Sequence, residues 1–199
     1  MTLTRGQIQP STHVNALLDL TLLLLYDDQL DAAKDSALRT IDSLPEKGQE
    51  YLLSRSHRLL GKIHDSKGEK AEAIHHFETA LGIASPFGWQ HELFWIHYTL
   101  ALLFSDKGEF NDANTHIVQA KLRAVDKTYK QGRAMNVQAW IWYRQCRLEG
   151  ARSEASGAVE IYGTLGAAWD VGACRELLKI IERAMESQTI SDTGGGGSG

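Results

Sequence analysis

The sequence predicts an all-α fold, a right-handed solenoid of about four helix-turn-helix repeats followed by a C-terminal capping helix. Proline is rare, with 3 residues in a chain of 199, and helix interiors exclude proline. Small residues recur at a spacing of about 40 residues, which is typical of a repeat protein. Apolar residues from Val171 to Met185 alternate in steps of three and four, as on one face of a helix.

The repeat is clearest in its second and third copies. The segment GEKAEA at residues 68–73 aligns with GEFNDA at residues 108–113, at an offset of 40 residues. Glycine adopts the left-handed backbone conformation at no steric cost, so the leading glycine of each segment predicts a turn after a helix. The first copy has Asp28 and the fourth has Cys146 at the same position.

Small residues also mark the expected contacts between the two helices of each repeat. Helix axes reach their usual separation of about 8–10 Å where the contact residues are small. Such residues on the first helices are Gly61, Ala101 and Ala139, and their expected partners on the second helices are Ala73, Ala113 and Ala151.

These patterns order nine helices along the chain. The paired helices are expected at residues 12–26, 30–43, 49–66, 70–85, 90–107, 110–125, 131–146 and 148–164. The ninth helix is expected to begin at Asp170 as its N-cap, and its apolar stripe with an opposite charged face is typical of a capping helix. The first helix carries leucines on nearly all sides, which indicates either missing upstream repeats or a self-association surface.

The expected organisation follows from the helices. The four repeats span residues 12–45, 49–86, 90–125 and 131–165, the capping helix spans 166–187, and the two tails span 1–11 and 188–199. Residues 194–199 read GGGGSG, a sequence that we interpret as a flexible engineered linker.

The repeat resembles the tetratricopeptide repeat (TPR), whose marks are a Leu-Gly or Leu-Ala step, a turn glycine, and an Ala–aromatic–Ala series. Leu60-Gly61 and Leu100-Ala101 match the first mark, and Ala73, Phe77 and Ala80 match the third. The resemblance implies a non-enzymatic scaffold that binds a protein or peptide in a concave groove lined by the first helix of each repeat. The segment from Tyr162 to Arg175 is similar to the end of TPR arrays in large signalling proteins, including fungal receptor-like proteins, which implies a sensor array.

Composition excludes several classes of function. The net charge of −4 and pI of about 6.1 argue against a general nucleic-acid binder. The most apolar stretch, Ala16 to Tyr26, is too short to span about 30 Å of hydrocarbon, so no membrane association is expected. Two cysteines, Cys146 and Cys174, cannot form a disulfide framework, and no signal peptide begins the chain. We therefore expect free thiols and a cytoplasmic protein.

The sequence also lacks the usual motifs of catalysis. It contains no GxxxxGK[ST] or GxGxxG phosphate loop and no HExxH zinc motif. His91 and His97 are six residues apart and adjacent His75 and His76 point to different sides of a helix, so neither arrangement predicts a shared metal. We expect no enzyme activity, no cofactor and no metal.

The repeat phase gives a candidate groove surface. Basic residues of the second copy and aromatic and basic residues of later copies fall on the groove face, and Arg, Trp and Tyr dominate binding hot spots. The candidate groove residues are Arg55, Arg58, Lys62, Tyr98, Leu102, Arg133, Asn136, Trp140, Tyr143 and Arg144. They predict a peptide or protein partner with acidic and apolar side chains.

Two alternatives stay open. The first is an assembly module that forms homodimers through the leucine-rich first helix, with Leu18, Leu22 and Leu25 as candidate contacts. The second is a TPR carrier of a fused cargo, tethered by the linker at residues 194–199.

Overall fold

The computed structural model describes residues 10–45, 48–125 and 128–194, and its regular elements in those ranges are all helical. Its α-helices are α1 (Pro10–Tyr26), α2 (Leu30–Asp42), α3 (Glu50–Ser66), α4 (Lys70–Ala84), α5 (Gln90–Lys107), α6 (Phe110–Arg123), α7 (Tyr129–Arg144), α8 (Leu148–Thr164) and α9 (Ala168–Gly194). A 3₁₀ turn at Ser85–Phe87 follows α4. The prediction of an all-α chain of helical repeats is confirmed.

Helices α1 to α8 begin and end within two residues of their expected bounds. The ninth helix differs: it begins at Ala168, so Asp170 lies in its first turn rather than at its N-cap, and it continues to Gly194 rather than ending near residue 187. Gly194 is therefore helical, whereas residues 1–9 of the expected N-terminal tail and residues 195–199 of the expected linker lie outside the described residues. None of the described helices is long and apolar enough to cross a bilayer.

The four turns within the repeats share one backbone geometry. Asp28, Gly68, Gly108 and Cys146 all have positive φ, with values of 57°, 76°, 80° and 57°. In each turn the following residue donates its N–H to a carbonyl five residues earlier at 2.9 Å, as from Glu69 to His64. This bond satisfies a carbonyl that the helix end would otherwise leave unpaired. Asp28 and Cys146 therefore adopt the conformation that the glycines adopt in the other two copies.

The chain divides into two compact units, residues 1–96 and 97–199. In the first unit, one apolar cluster joins Val14 and Leu18 of α1 to Leu52 and Leu59 of α3. A second joins the small residues of α2 to Leu60 and Ile63 of α3, with Leu24 and Leu25 of α1 against it. Helix α1 thus packs against both α2 and α3.

The second unit has its cores between α7, α8 and α9. Ala139, Ala151 and Ala155 form one cluster with Leu177 and Ile181 of α9. Ala158 and Tyr162 of α8 form another with Cys174 of α9. Because α9 buries one face against α7 and α8, it occupies the place of the first helix of a further repeat.

Candidate partner-binding groove between α5 and α7

In the second unit, the part of α5 from His97 onward lies beside α7. Two contacts join the helices, one from Arg133 to Tyr98 and one from Arg144 to Ser105. Both helices are first helices of a repeat, so the surface between them corresponds to the groove that the sequence predicts. We call this surface, formed by residues 98–106 of α5 and 133–144 of α7, the α5/α7 groove.

One end of the α5/α7 groove is formed by Tyr98 and Arg133. The Arg133 Nη2 donates to the Tyr98 hydroxyl oxygen at 3.1 Å, and its guanidinium carbon lies 4.9 Å from the centre of the Tyr98 ring. Tyr98 is only 8% exposed. Most of its ring is therefore covered, and it acts as a support that orients the Arg133 cation rather than as an open aromatic surface.

The centre of the groove is a small pocket. It has a volume of about 250 Å³ and is lined by Leu102, Ser105, Asp106, Val137, Trp140 and Arg144. Leu102 and Trp140 remain 36% and 40% exposed although both are large apolar side chains. Small-molecule sites usually have volumes of about 300–1,000 Å³, so this pocket suits a single side chain of a partner better than a complete small ligand.

The other end of the groove is formed by Arg144. Its Nη1 donates to the Ser105 carbonyl oxygen at 2.6 Å, and its guanidinium carbon lies 5.1 Å from the centre of the Phe110 ring. These contacts, like those of Arg133 with Tyr98, join the cation to a neutral oxygen and an aromatic ring, and they orient the two guanidinium groups.

Two other candidates on α7 have distinct environments. Asn136 has a buried carboxamide oxygen with no hydrogen-bond partner among the described residues. Tyr143 packs partly against the cluster shared by α7, α8 and α9, and its ring lies 5.9 Å from that of Trp140 in an edge-on arrangement. Val137 lines the pocket and was missed by the sequence analysis, although its spacing of four from Arg133 and three from Trp140 is a helical-face signal.

One of the three basic candidates of the first unit, Arg58, is paired within the chain. Arg58 donates from Nε to Glu92 Oε1 at 2.6 Å, and the two side chains are only 11% and 1% exposed. The charge of Arg58 is therefore compensated within the chain. Arg55 and Lys62 lie on the same helix and are half-buried.

The candidate self-association leucines are also placed differently from the expectation. Leu18 is completely buried in the cluster with Val14, Leu52 and Leu59, and Leu22 packs against that cluster. Leu25 packs against the cluster of α2 and α3. Leu18 is therefore not available to a second copy, whereas Leu22 and Leu25 are half-buried, and the exposed leucines of α1 are Leu20 and Leu23.

The thiols and histidines do not assemble a recognisable reactive centre in the described ranges. Cys174 is buried, and burial, aided by the nearby Asp170 charge, raises its pKa to about 11, which disfavours the reactive thiolate. Cys146 is exposed at its left-handed turn. Within residues 10–45, 48–125 and 128–194, no group of three or more His, Cys, Asp or Glu side chains is arranged to hold a metal ion.

Comparison of the structure with solved structures identifies the fold. BtubC (BKLC) from P. vanneervenii superposes with a TM-score of 0.68 at 18% identity, covering 89% of this chain and 82% of its own. A Podosopora anserina protein described as a kinesin light chain with nearly identical TPR-like repeats gives a TM-score of 0.65 at 14% identity, covering 92% of this chain and 99% of its own. The chain has a TPR-like fold.

A further TPR-like match is more distant. The MamA RS-1 ArsTM double mutant gives a TM-score of 0.57 at 14% identity, covering 88% of this chain and 96% of its own. No protein-family model and no curated protein sequence matches the chain. The TPR resemblance of the sequence is therefore confirmed at the level of fold, and the function must be argued from the groove itself.

Proposed function

We propose that the chain is a protein-interaction module whose α5/α7 groove binds a peptide or protein segment with an apolar anchor and acidic side chains. The observation that carries the proposal is the pocket between Leu102 and Trp140, which leaves two large apolar side chains open to solvent. Partly exposed Trp residues next to Arg are the composition of binding hot spots. A partner would bury this apolar surface by inserting one side chain.

The charges on either side of the pocket support an acidic partner. Arg133 and Arg144 stand at the two ends of the groove, and the contacts described above join each of them to a neutral oxygen. Planar guanidinium groups bind carboxylates through paired hydrogen bonds. Arg144 at one end of the pocket supplies such a guanidinium group beside the apolar walls formed by Leu102 and Trp140.

We propose that the module serves as a scaffold or a sensor. A scaffold or sensor array in a larger signalling protein, in the cytoplasm, would use such a groove to recognise one segment of a partner. Nucleic acid and membrane are not expected partners, because the chain is acidic overall.

Self-association remains a second candidate function because of one observation. Leu20 and Leu23 of α1 are 45% and 66% exposed, which leaves an apolar strip beside the buried leucines. A homodimer could bury this strip. The third candidate, a carrier of fused cargo, depends on residues 194–199 and gains no support from the groove.

A matched pair of tryptophan variants tests the groove. A displayed peptide library is selected on the wild-type chain, and the affinities of enriched peptides are measured by fluorescence anisotropy. Trp140→Ala should weaken binding at least tenfold, because it removes one wall of the pocket. Trp169→Ala serves as the control, since Trp169 is 82% exposed in the same unit but does not line the pocket.

The two outcomes separate the candidates. Peptides that are rich in acidic and apolar residues and lose affinity only for Trp140→Ala support the proposal. Peptides that bind both variants equally, or a selection that enriches no sequence, would reject the groove. A concentration-dependent mass that Leu23→Glu abolishes would then favour self-association through α1.

A further inference from the structure

Two histidine pairs lie at equivalent positions of neighbouring repeats. His57 of α3 faces His76 of α4 with their Nδ1 atoms 3.1 Å apart, and His97 of α5 faces His116 of α6 with their Nδ1 atoms 2.9 Å apart. Each member of the second pair follows the corresponding member of the first by 40 residues. In both repeats the contact joins the first helix to the second. The same side-chain pair thus recurs with the repeat.

A contact between two Nδ1 atoms depends on the protons of both rings. One Nδ1 must carry a hydrogen and donate it, and the other must offer a lone pair. Two neutral rings meet this condition, and so do one neutral and one protonated ring. When both rings are protonated, each Nδ1 is a donor and each ring is positive, so the hydrogen bond is lost and the rings repel each other.

The groups around the His57–His76 pair disfavour protonation of its second ring. Burial lowers the pKa of His57 and, to about 4, that of His76. His64, His75 and Lys34 act on His76 in the same direction, because each is a cation or becomes one on protonation. The His64 ring stacks on His76 with centres 5.2 Å apart, and its Nδ1 meets Glu69 Oε2 at 2.5 Å.

The His97–His116 pair has different neighbours, which also disfavour protonation of its second ring. Burial lowers the pKa of His97 to about 4, and His116 and Arg123 act in the same direction. The Phe104 ring stacks on His116 with centres 5.4 Å apart and planes at 9°. This apolar ring covers His116 and offers no charge that would stabilise a proton.

We propose that the His57–His76 and His97–His116 pairs are acid-sensitive latches between the two helices of their repeats. Each latch is closed while at most one of its rings is protonated, and it opens when the second proton binds. Opening removes a contact in the middle of the helix pair, so acid loosens two adjacent repeats by the same mechanism. No member of either pair lines the pocket of the α5/α7 groove.

The direction of the effect follows from linkage. A folded-state pKa below the unfolded value of 6.5 gives stability that is present above pH 6.5 and is lost as the pH falls toward about 4. At pH 5, one ring with a folded-state pKa of about 4 lowers the ratio of folded to unfolded chain by about 30-fold relative to neutral pH. One such ring occurs in each pair.

Asparagine replacements provide the test. Asn offers a donor and an acceptor near the position of Nδ1 but does not titrate between pH 4 and 8. The folded-to-unfolded ratio is measured by urea unfolding at pH 7.5 and 5.0, in buffer with a chelator, for the wild type and for His57→Asn/His76→Asn. The acid-induced loss should be about 30-fold smaller in the variant, and about 1,000-fold smaller when both pairs are replaced. His13→Asn is the control, because His13 is exposed on α1.

A second readout applies if a variant fails to fold at pH 7.5. NMR titration of the histidine ring protons in the wild type should show one ring of each pair titrating well below pH 5.5. Loss of the acid effect in the pair variants but not in His13→Asn supports the latches. Rings of both pairs that titrate near pH 6.5, or an unchanged acid-induced loss in the variants, would overturn the proposal.

Discussion

Gly61 of α3 lies directly against the ring of Phe77 of α4. A Cβ atom added at position 61 would be 2.8 Å from two carbons of that ring, closer than real Cβ contacts. Both residues are completely or almost completely buried, so neither can move into solvent. The Leu60-Gly61 step of the TPR-like pattern therefore makes room for the aromatic residue of the same repeat.

We predict that Gly61→Ala destabilises the chain although alanine is the better helix former. The methyl group must displace the Phe77 ring in a packed core, which costs about 1–3 kcal/mol. Gly82→Ala is the matched control, because Gly82 lies in α4 of the same repeat with nothing within 4 Å of its added Cβ. The free energy of unfolding, measured by urea denaturation, should fall for Gly61→Ala and rise by about 0.5–1 kcal/mol for Gly82→Ala. A rise for both would show that Phe77 moves freely.

A second prediction concerns the left-handed turn at Cys146. Its φ of 57° places a side chain where glycine alone is free of strain. Cys146→Gly should therefore stabilise the chain by about 0.5–1 kcal/mol, the balance between relief of strain and the greater freedom of glycine in the unfolded chain. Asp28→Gly should give a smaller gain, because aspartate tolerates this conformation better than cysteine does. Thermal unfolding measures the stability of these two variants and of Gly108→Ala. We expect the largest gain for Cys146→Gly, a smaller gain for Asp28→Gly and a loss for Gly108→Ala.

These turns also show why the fold could be predicted from the sequence. The repeat phase identified positions 28 and 146 as turns although neither residue is glycine, and the backbone there is the same as at Gly68 and Gly108. Helix bounds followed from local signals, namely small residues, turn residues and apolar spacing. Such signals depend on neighbours in the chain and can be read without knowing the packing.

The candidate site depends on contacts between helices and was predicted less well. Glu92 is 34 residues from Arg58, and no local pattern indicates that its carboxylate meets that guanidinium. The helix phase named Leu102, Trp140 and Arg144, which line the pocket, but it did not name Val137, which completes the lining. The leucines of α1 divide between core and surface according to the positions of α2 and α3. The histidine pairs likewise join separate helices, and no pattern within a single helix predicts a contact between residues 19 positions apart.

The last prediction concerns the buried pair of Arg58 and Glu92. The carboxylate is 1% exposed, and its second oxygen has no hydrogen-bond partner among the described residues. Glu92→Gln removes the negative charge and leaves the Arg58 cation in a place with little access to water. Removing one partner of a buried pair typically costs about 3–5 kcal/mol, whereas an exposed pair contributes about 0–1 kcal/mol.

The exposed pair of Glu176 and Lys179 on α9 provides the control. Their side chains are 69% and 58% exposed, so Glu176→Gln should change the free energy of unfolding by less than about 1 kcal/mol. Urea denaturation at neutral pH measures both variants. The double variant Arg58→Met/Glu92→Leu should recover most of the stability that Glu92→Gln loses, because apolar side chains of similar volume need no partner in a buried place. Equal small losses in Glu92→Gln and Glu176→Gln would mean that water reaches Arg58, and the basic residues of the first unit would again become candidates for binding an acidic partner.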